Sequence, residues 1–245
     1  MIIKTERGNE IDLSQGIDLS IPLSDDEKNP LAWYVKPPSF KPVMEDGWIG
    51  SVKDGGAVNF RNIFFNPHGH GTHTECLGHI TPEVYSINAH LKTFFFYAVV
   101  ISVQPEKIGD DHVISAHQLT ALKEYSSIEA LVIRTLPNTI DKKSRNYSST
   151  NPPFIDVSCL ETLNQLGVKH LLIDLPSVDK ESDNGVLAFH HGFWEVPSNP
   201  RFDRTITEMI FVPNTVEDGE YFMNLQVAPF ENDAAPSRPV IFPLK

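Results

Sequence analysis

The chain has 245 residues, of which 40% are apolar and 21% charged, a composition typical of a soluble globular protein with one large domain. With 20 basic and 32 acidic residues its formal net charge is −12, so it lacks the basic excess that favours nucleic acid or an anionic membrane surface. Two cysteines, the lack of an apolar leader and the lack of any apolar stretch near ~20 residues predict a single cytoplasmic domain over residues 1–245, without disulfides or a membrane span.

The predicted elements of the first 153 residues are mostly strands. Pro22 indicates that the strand over 17–23 lies at a sheet edge, and the strand over 92–104 is rich in aromatic and β-branched residues. One helix is predicted, with Ser115 as its N-cap and Gln118 as the capping-box partner. A long polar loop follows, of a length typical of lids and partner contacts. In chain order the segments are strands 17–23, 59–65 and 92–104, helix 115–125, strand 130–135 and loop 136–153.

The remaining residues add one helix and three strands. Leu160, Leu163 and Leu166 recur at helical spacing, and Gly167 is a typical stop after the last turn. The segments are helix 156–166 and strands 170–175, 205–212 and 221–227. Because strands outnumber helices, we predict a mixed α/β fold with a mainly antiparallel central sheet or a barrel-like β core and few helices.

Histidines are concentrated in one glycine-rich segment, which holds four of the ten in the chain. These are His68, His70, His73 and His79, and Glu75 lies among them. Imidazole and carboxylate groups are the usual ligands of divalent transition metals, and glycines let ligands close in sequence surround one ion. His73 and Glu75 would share one face of a strand, because they are two residues apart. The segment therefore predicts a metal site rather than a solvated loop, with Cys76 as a buried apolar side chain.

The segment that ends in His-Gly-Thr-His-Thr-Glu and continues to His79 resembles a known metal-binding signature. That signature, His-x-Gly-Thr-His-x-Asp-x-Pro-x-His, belongs to the cyclase or kynurenine formamidase-like metal-dependent hydrolases. The residues in register are Gly71, Thr72, His73 and His79, while Glu75 replaces the aspartate and Leu77 the proline. The first histidine of the signature falls at Gly69, so the ligand is either His68, which we favour, or His70.

The resemblance extends over about residues 10–230. Ser177-Val178-Asp179, the pair His190-His191 and the strand that carries Glu208 follow one another in the order of the family's second ligand cluster. Of the two adjacent histidines, His190 fits the family pattern better. The resemblance thus implies metal ligands drawn from His68, His70, His73, Glu75, His190 and Glu208.

The resemblance also implies a chemistry. One or two Zn²⁺ ions per chain, or Mn²⁺, would be bridged by Glu75, and a bound divalent ion lowers the pKa of a water toward ~7. His79 is the expected catalytic residue, a general acid and base. The implied reaction is hydrolysis of an amide bond, in an aryl formamide or a cyclic amide, or of a lactone in a small molecule. The family's best-known reaction of this kind is that of kynurenine formamidase, which cleaves N-formylkynurenine to kynurenine and formate.

Fold and assembly are implied as well: a swivelling β/β/α-type fold and a homodimer or homotetramer, with no nucleic-acid or membrane partner. An aryl substrate would stack on aromatic residues near the site, for which the candidates are Trp33, Tyr34, Trp48, Phe193 and Trp194. Two alternatives remain open. One is a metal-binding protein without turnover, and the other is a non-heme iron oxygenase, because two histidines and a carboxylate also form the iron facial triad.

Overall fold

The computed structural model describes residues 1–245 and is built around a closed seven-stranded β-barrel. The barrel strands are β1 His73–Glu75, β2 Phe95–Val103, β3 Ala130–Thr135, β4 His170–Ile173, β5 Thr205–Glu208, β6 Gly219–Val227 and β7 Ala234–Pro243. Around the barrel the order is β6-β2-β3-β4-β5-β1-β7, and β7 pairs back with β6. Strands β2 to β5 are parallel, and the other four pairings are antiparallel. This confirms the predicted mixed α/β class with a barrel-like β core.

Helices are few and short. The α-helices are α1 Ile87–His90, α2 Cys159–Leu166 and α3 Ala188–Trp194, and the 3-10 helices are Leu13–Gln15, Leu77–His79, Ala116–Glu124 and Ile140–Lys143. None of the helices is long and apolar enough to cross a membrane.

Short strands outside the barrel pair locally. They are Ile2–Lys4 with Glu10–Asp12, Ser39–Pro42 with Arg61–Phe64, Met44–Glu45 with Trp48–Ile49, a three-stranded sheet of Glu106–Ile108, Asp111–Ile114 and Phe154–Ile155, and Ile17–Asp18 along β7. We call residues 39–64, which contain two of these pairs, the ribbon segment.

Strand alternation divides the apolar core into two layers. Leu131 and Ile133 of β3 belong to an outer layer that packs against α2, α3 and the helix Ala116–Glu124. Val132, which lies between them, joins residues of β2, β4, β6 and β7 in a second layer that fills the barrel. Both faces of β3 are therefore buried, as is usual for parallel strands covered by helices. Each large apolar side chain buried in this way contributes about 1.5–3 kcal/mol.

Two predicted strands are shorter than expected. The strand expected over 17–23 covers only Ile17–Asp18, because the backbone N–H of Ile21 donates to the hydroxyl of Thr72 and not to a neighbouring strand. The one expected over 205–212 stops before Met209, whose φ of 54° turns the chain. The turn at Met209 therefore directly follows Glu208, the last residue of β5.

The helix predicted over 115–125 is a 3-10 helix over Ala116–Glu124. Its start follows the prediction, because the Ser115 N–H donates to Gln118 Oε1 at 3.0 Å.

Among the elements that the sequence prediction lacks, two border the site or close the barrel. One is α3, which begins after Leu187 in a left-handed conformation and contains Gly192, a poor helix former. A Cβ at Gly192 would collide with the side chain of Leu160, so glycine lets α3 approach α2 closely. The other is β7, where Pro236 and Pro239 argue against a strand because proline has no N–H for the ladder.

Candidate metal centre

Two neighbouring strands of the barrel carry three of the predicted ligands. His73 and Glu75 are the first and last residues of β1, and His73 is paired directly with Glu208 at the end of β5. All three side chains are buried, and His73 Nε2 lies 3.4 Å from Glu208 Oε2. The antiparallel register between β1 and β5 thus brings together residues that are far apart in the sequence.

Glu75 is the centre of the cluster. Its Oε1 lies 3.1 Å from His190 Nε2, and its Oε2 lies 3.1 Å from His68 Nδ1 and 3.8 Å from His79 Nε2. Burial raises the pKa of the Glu75 carboxyl, but the surrounding rings of His79, His190 and His68 outweigh it and hold this pKa well below its ordinary value. Glu75 is therefore a carboxylate at neutral pH, as a metal ligand must be.

Two buried polar atoms at the centre of the cluster lack a well-aligned hydrogen bond, namely His73 Nε2, which is 3.4 Å from Glu208 Oε2, and Glu75 Oε2, which is 3.1 Å from His68 Nδ1. His73 Nδ1 lies 2.9 Å from Gly71 O, so this nitrogen carries the proton and Nε2 keeps its lone pair. A buried polar group without a partner costs about 1–3 kcal/mol. A divalent cation would satisfy both lone pairs, so the donor set fits a metal.

The ligand atoms are close enough to share an ion. Those of His68, His73 and Glu75 lie within 4.8 Å of one another, those of Glu75, His79 and His190 form a second such group, and those of His68, His79 and Asp233 form a third. Glu75 belongs to the first two groups. The arrangement can therefore accommodate one ion or two, with Glu75 as the shared carboxylate.

His190 is oriented by Asp179, the last residue of the Ser177-Val178-Asp179 element. Asp179 Oδ2 accepts from His190 Nδ1 at 2.6 Å and from the His190 backbone N–H at 3.0 Å, while Oδ1 accepts from the Phe189 N–H at 2.8 Å. This leaves His190 Nε2 facing Glu75. Burial lowers the pKa of His190, but the Asp179 and Glu75 carboxylates raise it, to about 10 without a metal. A carboxylate behind a ligand histidine is typical of metal sites.

His79 lies at the end of the 3-10 helix Leu77–His79, at the solvent side of the cluster, with 31% of its side chain exposed. Its ring stacks on that of His68, with 4.3 Å between centroids. Gly78, which precedes it, has no room for a side chain, because a Cβ there would collide with the backbone of Tyr85. His79 is thus held close to the cluster but remains accessible to solvent and substrate.

Asp233 belongs to this centre and was missed by sequence reasoning. Its Oδ2 lies 2.9 Å from His68 Nε2 and 3.3 Å from His79 Nδ1. Burial raises the pKa of Asp233, but the hydrogen bonds from His68 and His79 hold it below its ordinary value. The position directly before β7 carries no spacing relation to the histidine segment, so no sequence signal marked Asp233 as part of the site.

Three other candidates lie outside the cluster. His70 uses both ring nitrogens on the backbone, because Nδ1 accepts from the Asn66 N–H at 2.7 Å and Nε2 lies 2.7 Å from Lys36 O. The structure thus brings His68, and not His70, to Glu75. His191 Nδ1 faces the backbone at 3.3 Å. Cys76 is buried, and burial raises the pKa of its thiol to about 12, so it stays protonated as predicted for an apolar side chain.

A cavity of about 360 Å³ opens above the cluster. Trp33, Val35 and Leu187 form its apolar wall, and its remaining lining residues are Asn66, His68, His79, Ser177, Lys180, Glu181, Asp183, His190 and Glu208. Of the predicted stacking residues only Trp33 lines this cavity, since Phe193 and Trp194 are buried in the outer core layer and Trp48 lies in the ribbon segment.

The cavity wall is held in a strained conformation by the loop over 136–153. Trp33 and Tyr34 have φ values of 58° and 57°, which is costly for two consecutive bulky residues. The Tyr34 N–H donates to Ser148 Oγ at 2.9 Å, and the backbones of Leu31 and Tyr147 are bonded at 2.7 Å. The long loop predicted from the sequence therefore supports the cavity from outside.

Fold and site together define a barrel protein with a buried histidine–carboxylate centre beneath an open cavity. Residues 17–180 match the profile of the family described as "Putative cyclase". Because this match covers more than half of the sequence, the chain belongs to the Cyclase family. No sequence among the curated proteins matches it.

Solved structures with the same fold are similar over nearly the whole chain. An isatin hydrolase bound to the product analogue thioisatinate has a TM-score of 0.67 at 13% identity, with 94% of this chain and 93% of that chain covered. A "predicted metal-dependent hydrolase" from Bacillus stearothermophilus has a TM-score of 0.63 at 16% identity, with 93% and 97% covered. Isatin hydrolase A from Ralstonia solanacearum has a TM-score of 0.63 at 16% identity, with 93% and 91% covered. At such identities the likeness shows a common fold.

Proposed function

We propose that the protein is a metal-dependent hydrolase that cleaves an amide or lactone bond in a small molecule. The observation that carries this proposal is the pair of unpartnered, buried lone-pair atoms, His73 Nε2 and Glu75 Oε2, beneath a cavity of about 360 Å³. Solved structures with this fold include isatin hydrolases, and isatin is a cyclic amide. A cyclic amide or an aryl formamide is therefore the substrate class that we propose.

The residues that would hold the metal are those whose free ligand atoms meet in the cluster. His68, His73 and Glu75 would hold one ion. Glu75 and His190, whose facing atoms are 3.1 Å apart, would hold a second together with Glu208, whose Oε1 lies 4.0 Å from His190 Nε2. Imidazole and carboxylate donors suit Zn²⁺, and a carboxylate-rich set also suits Mn²⁺. When bound, such an ion polarises a carbonyl oxygen and lowers the pKa of a water.

The chain's own residues supply substrate binding and proton transfer. Trp33, Val35 and Leu187 form the apolar wall on which an aryl ring would rest. His79 Nε2 faces Glu75 at 3.8 Å, so it is placed to take a proton from the attacking water. The same nitrogen would then give this proton to the leaving nitrogen or oxygen. The acidic residues at the cluster hold the rings around this path in fixed orientations.

Hydrolysis of isatin and of N-formylkynurenine tests this proposal. We expect ring opening or deformylation by protein as purified, loss of activity after treatment with a chelator, and recovery with zinc or manganese. Retained metal without turnover of formamides, cyclic amides or lactones would contradict a hydrolase and favour a metal-binding protein without catalysis. Iron as the bound metal with consumption of oxygen would contradict it in favour of an oxygenase.

We further propose that two copies of the chain associate through the ribbon segment. Its strand Arg61–Phe64 is exposed along its whole length, and Trp48, Phe60 and Phe64 are among the exposed large apolar side chains there. Two-stranded ribbons are marginally stable alone and apolar patches of this kind usually mark an interface. The ribbon leads directly into the histidine segment, so a second copy would lie near the cavity.

Light scattering of the purified protein tests the association. We expect a mass of twice the chain for the wild type and a shift toward the monomer when Trp48 and Phe64 are both replaced with glutamate. Val84→Glu, at an exposed apolar residue outside the ribbon segment, is the matched control and should leave the mass unchanged. A monomeric wild type would contradict the proposal.

A further inference from the structure

We propose that Asp233 is a positioning residue whose single carboxylate fixes the ring orientation and the proton position of both His68 and His79. Each ring would then present its other nitrogen to the cluster. This inference rests on the proposed function, because it assigns a role in the same centre. It adds a residue that lies outside the segments carrying the predicted ligands.

The barrel closure fixes Asp233 itself. Asp233 directly precedes β7, and its neighbour Ala234 is paired with Glu75 of β1. The Cys76 N–H donates to Asp233 O at 3.1 Å, and the Ile87 N–H donates to the carbonyl of Asn232 at 2.8 Å. The backbone before and at Asp233 is thus bonded to the segment that runs from β1 to α1. Only 16% of the Asp233 side chain is exposed, so its carboxylate has few alternatives to the two rings.

His68 lies between two carboxylates. Its Nε2 is 2.9 Å from Asp233 Oδ2, and its Nδ1 is 3.1 Å from Glu75 Oε2. The unpartnered buried atoms lie on the Glu75 side, so an ion fits there and Asp233 stays behind the ring. When His68 donates its Nε2 proton to Asp233, Nδ1 keeps the lone pair that a metal requires. A carboxylate in this position also raises the basicity of the ligand ring.

His79 shares the same carboxylate oxygen. Its Nδ1 lies 3.3 Å from Asp233 Oδ2, which leaves Nε2 directed toward Glu75. The rings of His68 and His79 are stacked, with an angle of 27° between their planes, as expected for two donors that converge on one oxygen. Loss of Asp233 would therefore free the ring of His79 and disturb the proton position on both rings.

The first arm of the test is zinc affinity, measured by calorimetry with zinc chloride on the metal-stripped full-length protein. We expect Asp233→Asn to weaken binding by about 10–100-fold, the usual effect of removing a carboxylate behind a ligand histidine. In a His68→Ala background the same change should have almost no effect on zinc affinity, because the ring of the ligand His68 is no longer there to be oriented. Glu231→Gln, which removes an exposed carboxylate two residues away, is the matched control and should bind like the wild type.

Equal losses in both backgrounds, or no loss from Asp233→Asn alone, would overturn the assignment. The second arm is kcat for the hydrolysis reaction of the proposed function, measured at saturating zinc. Asp233→Asn should lower this kcat in the otherwise wild-type protein but not in a His79→Ala background. If the losses of kcat from Asp233→Asn and from His79→Ala multiply in the double variant, Asp233 acts through a general structural effect. This result would overturn its role toward His79. Zinc binding without turnover would contradict the proposed function, while the calorimetric arm would still decide the role of Asp233. A wild type that binds no zinc would overturn both.

Discussion

Replacement of His79 with glutamine is expected to lower kcat by about 10²–10⁴-fold while the protein keeps its metal. His79 is the one imidazole of the cluster with substantial exposure, and its Nε2 lies 3.8 Å from Glu75 Oε2 without a hydrogen bond between them. The proposed ligands are other residues, namely His68, His73, Glu75, His190 and Glu208. Glutamine is similar in size but cannot accept and return a proton at neutral pH. Proton transfer is therefore lost, while the ligands still hold the metal.

Steady-state kinetics and metal analysis on the same preparations measure this effect. His117→Gln is the matched control, because His117 is an exposed histidine whose ring pairs with Glu106 on the surface. Unchanged kcat in His79→Gln would contradict the role of His79 as acid and base. Loss of the metal in this variant would instead make His79 a ligand, and the predicted division of roles would then be wrong.

Replacement of Lys142 with methionine is expected to cost about 3–5 kcal/mol in the free energy of unfolding. Lys142 is 4% exposed, and its Nζ donates to Asp174 Oδ2 at 2.8 Å and to the backbone of Thr135 at 2.6 Å. Thr135 ends β3 and Asp174 follows β4, so the lysine fastens the loop over 136–153 to the barrel. Methionine would leave the fully buried carboxylate of Asp174 without its counter-ion.

The penalty in Lys142→Met should become smaller as the pH falls. Burial raises the pKa of Asp174 above its ordinary value, with the Lys142 charge acting against this, and removal of the lysine raises that pKa further. A carboxyl whose pKa is higher in the folded state than in the unfolded state binds more protons when folded. Stability therefore rises as the pH is lowered from the folded pKa toward the unfolded one.

Urea unfolding of Lys142→Met and of the wild type at pH 7 and pH 5 measures the difference. Lys123→Met, at an exposed lysine, is the control and should change stability by less than about 0.5 kcal/mol. The double variant Lys142→Met with Asp174→Asn should recover part of the loss, because no unpaired charge remains buried. A loss below about 1 kcal/mol, or one that does not depend on pH, would contradict this account of the loop.

The sequence was informative where ligands are close together in the chain. His73 and Glu75 share a strand face, and the glycines around them permit the tight path that places His68 against Glu75. Glu208 was expected as a ligand from the resemblance to the family's second ligand cluster. Residue spacing was sufficient for His73 and Glu75, because strand geometry alone places their side chains on one face.

The remaining features depend on tertiary structure. Asp233 is 165 residues from His68 and reaches it only because β7 closes the barrel beside β1. The prolines of β7 concealed that strand, since its propensity argued for a loop. The choice between His68 and His70 depends on the backbone groups of Asn66 and Lys36, which occupy both nitrogens of His70. No local pattern encodes such contacts.

The most direct test of the metal centre is the metal content of the wild type and of His73→Ala, measured by plasma mass spectrometry after purification without a chelating resin. His73 is fully buried, its Nε2 has no hydrogen-bond partner, and it lies opposite Glu208. We predict about one to two zinc or manganese ions per chain in the wild type and a loss of the metal in the variant. A wild type free of divalent transition metal, or a variant that keeps its full content, would contradict the account of the cluster as a metal centre.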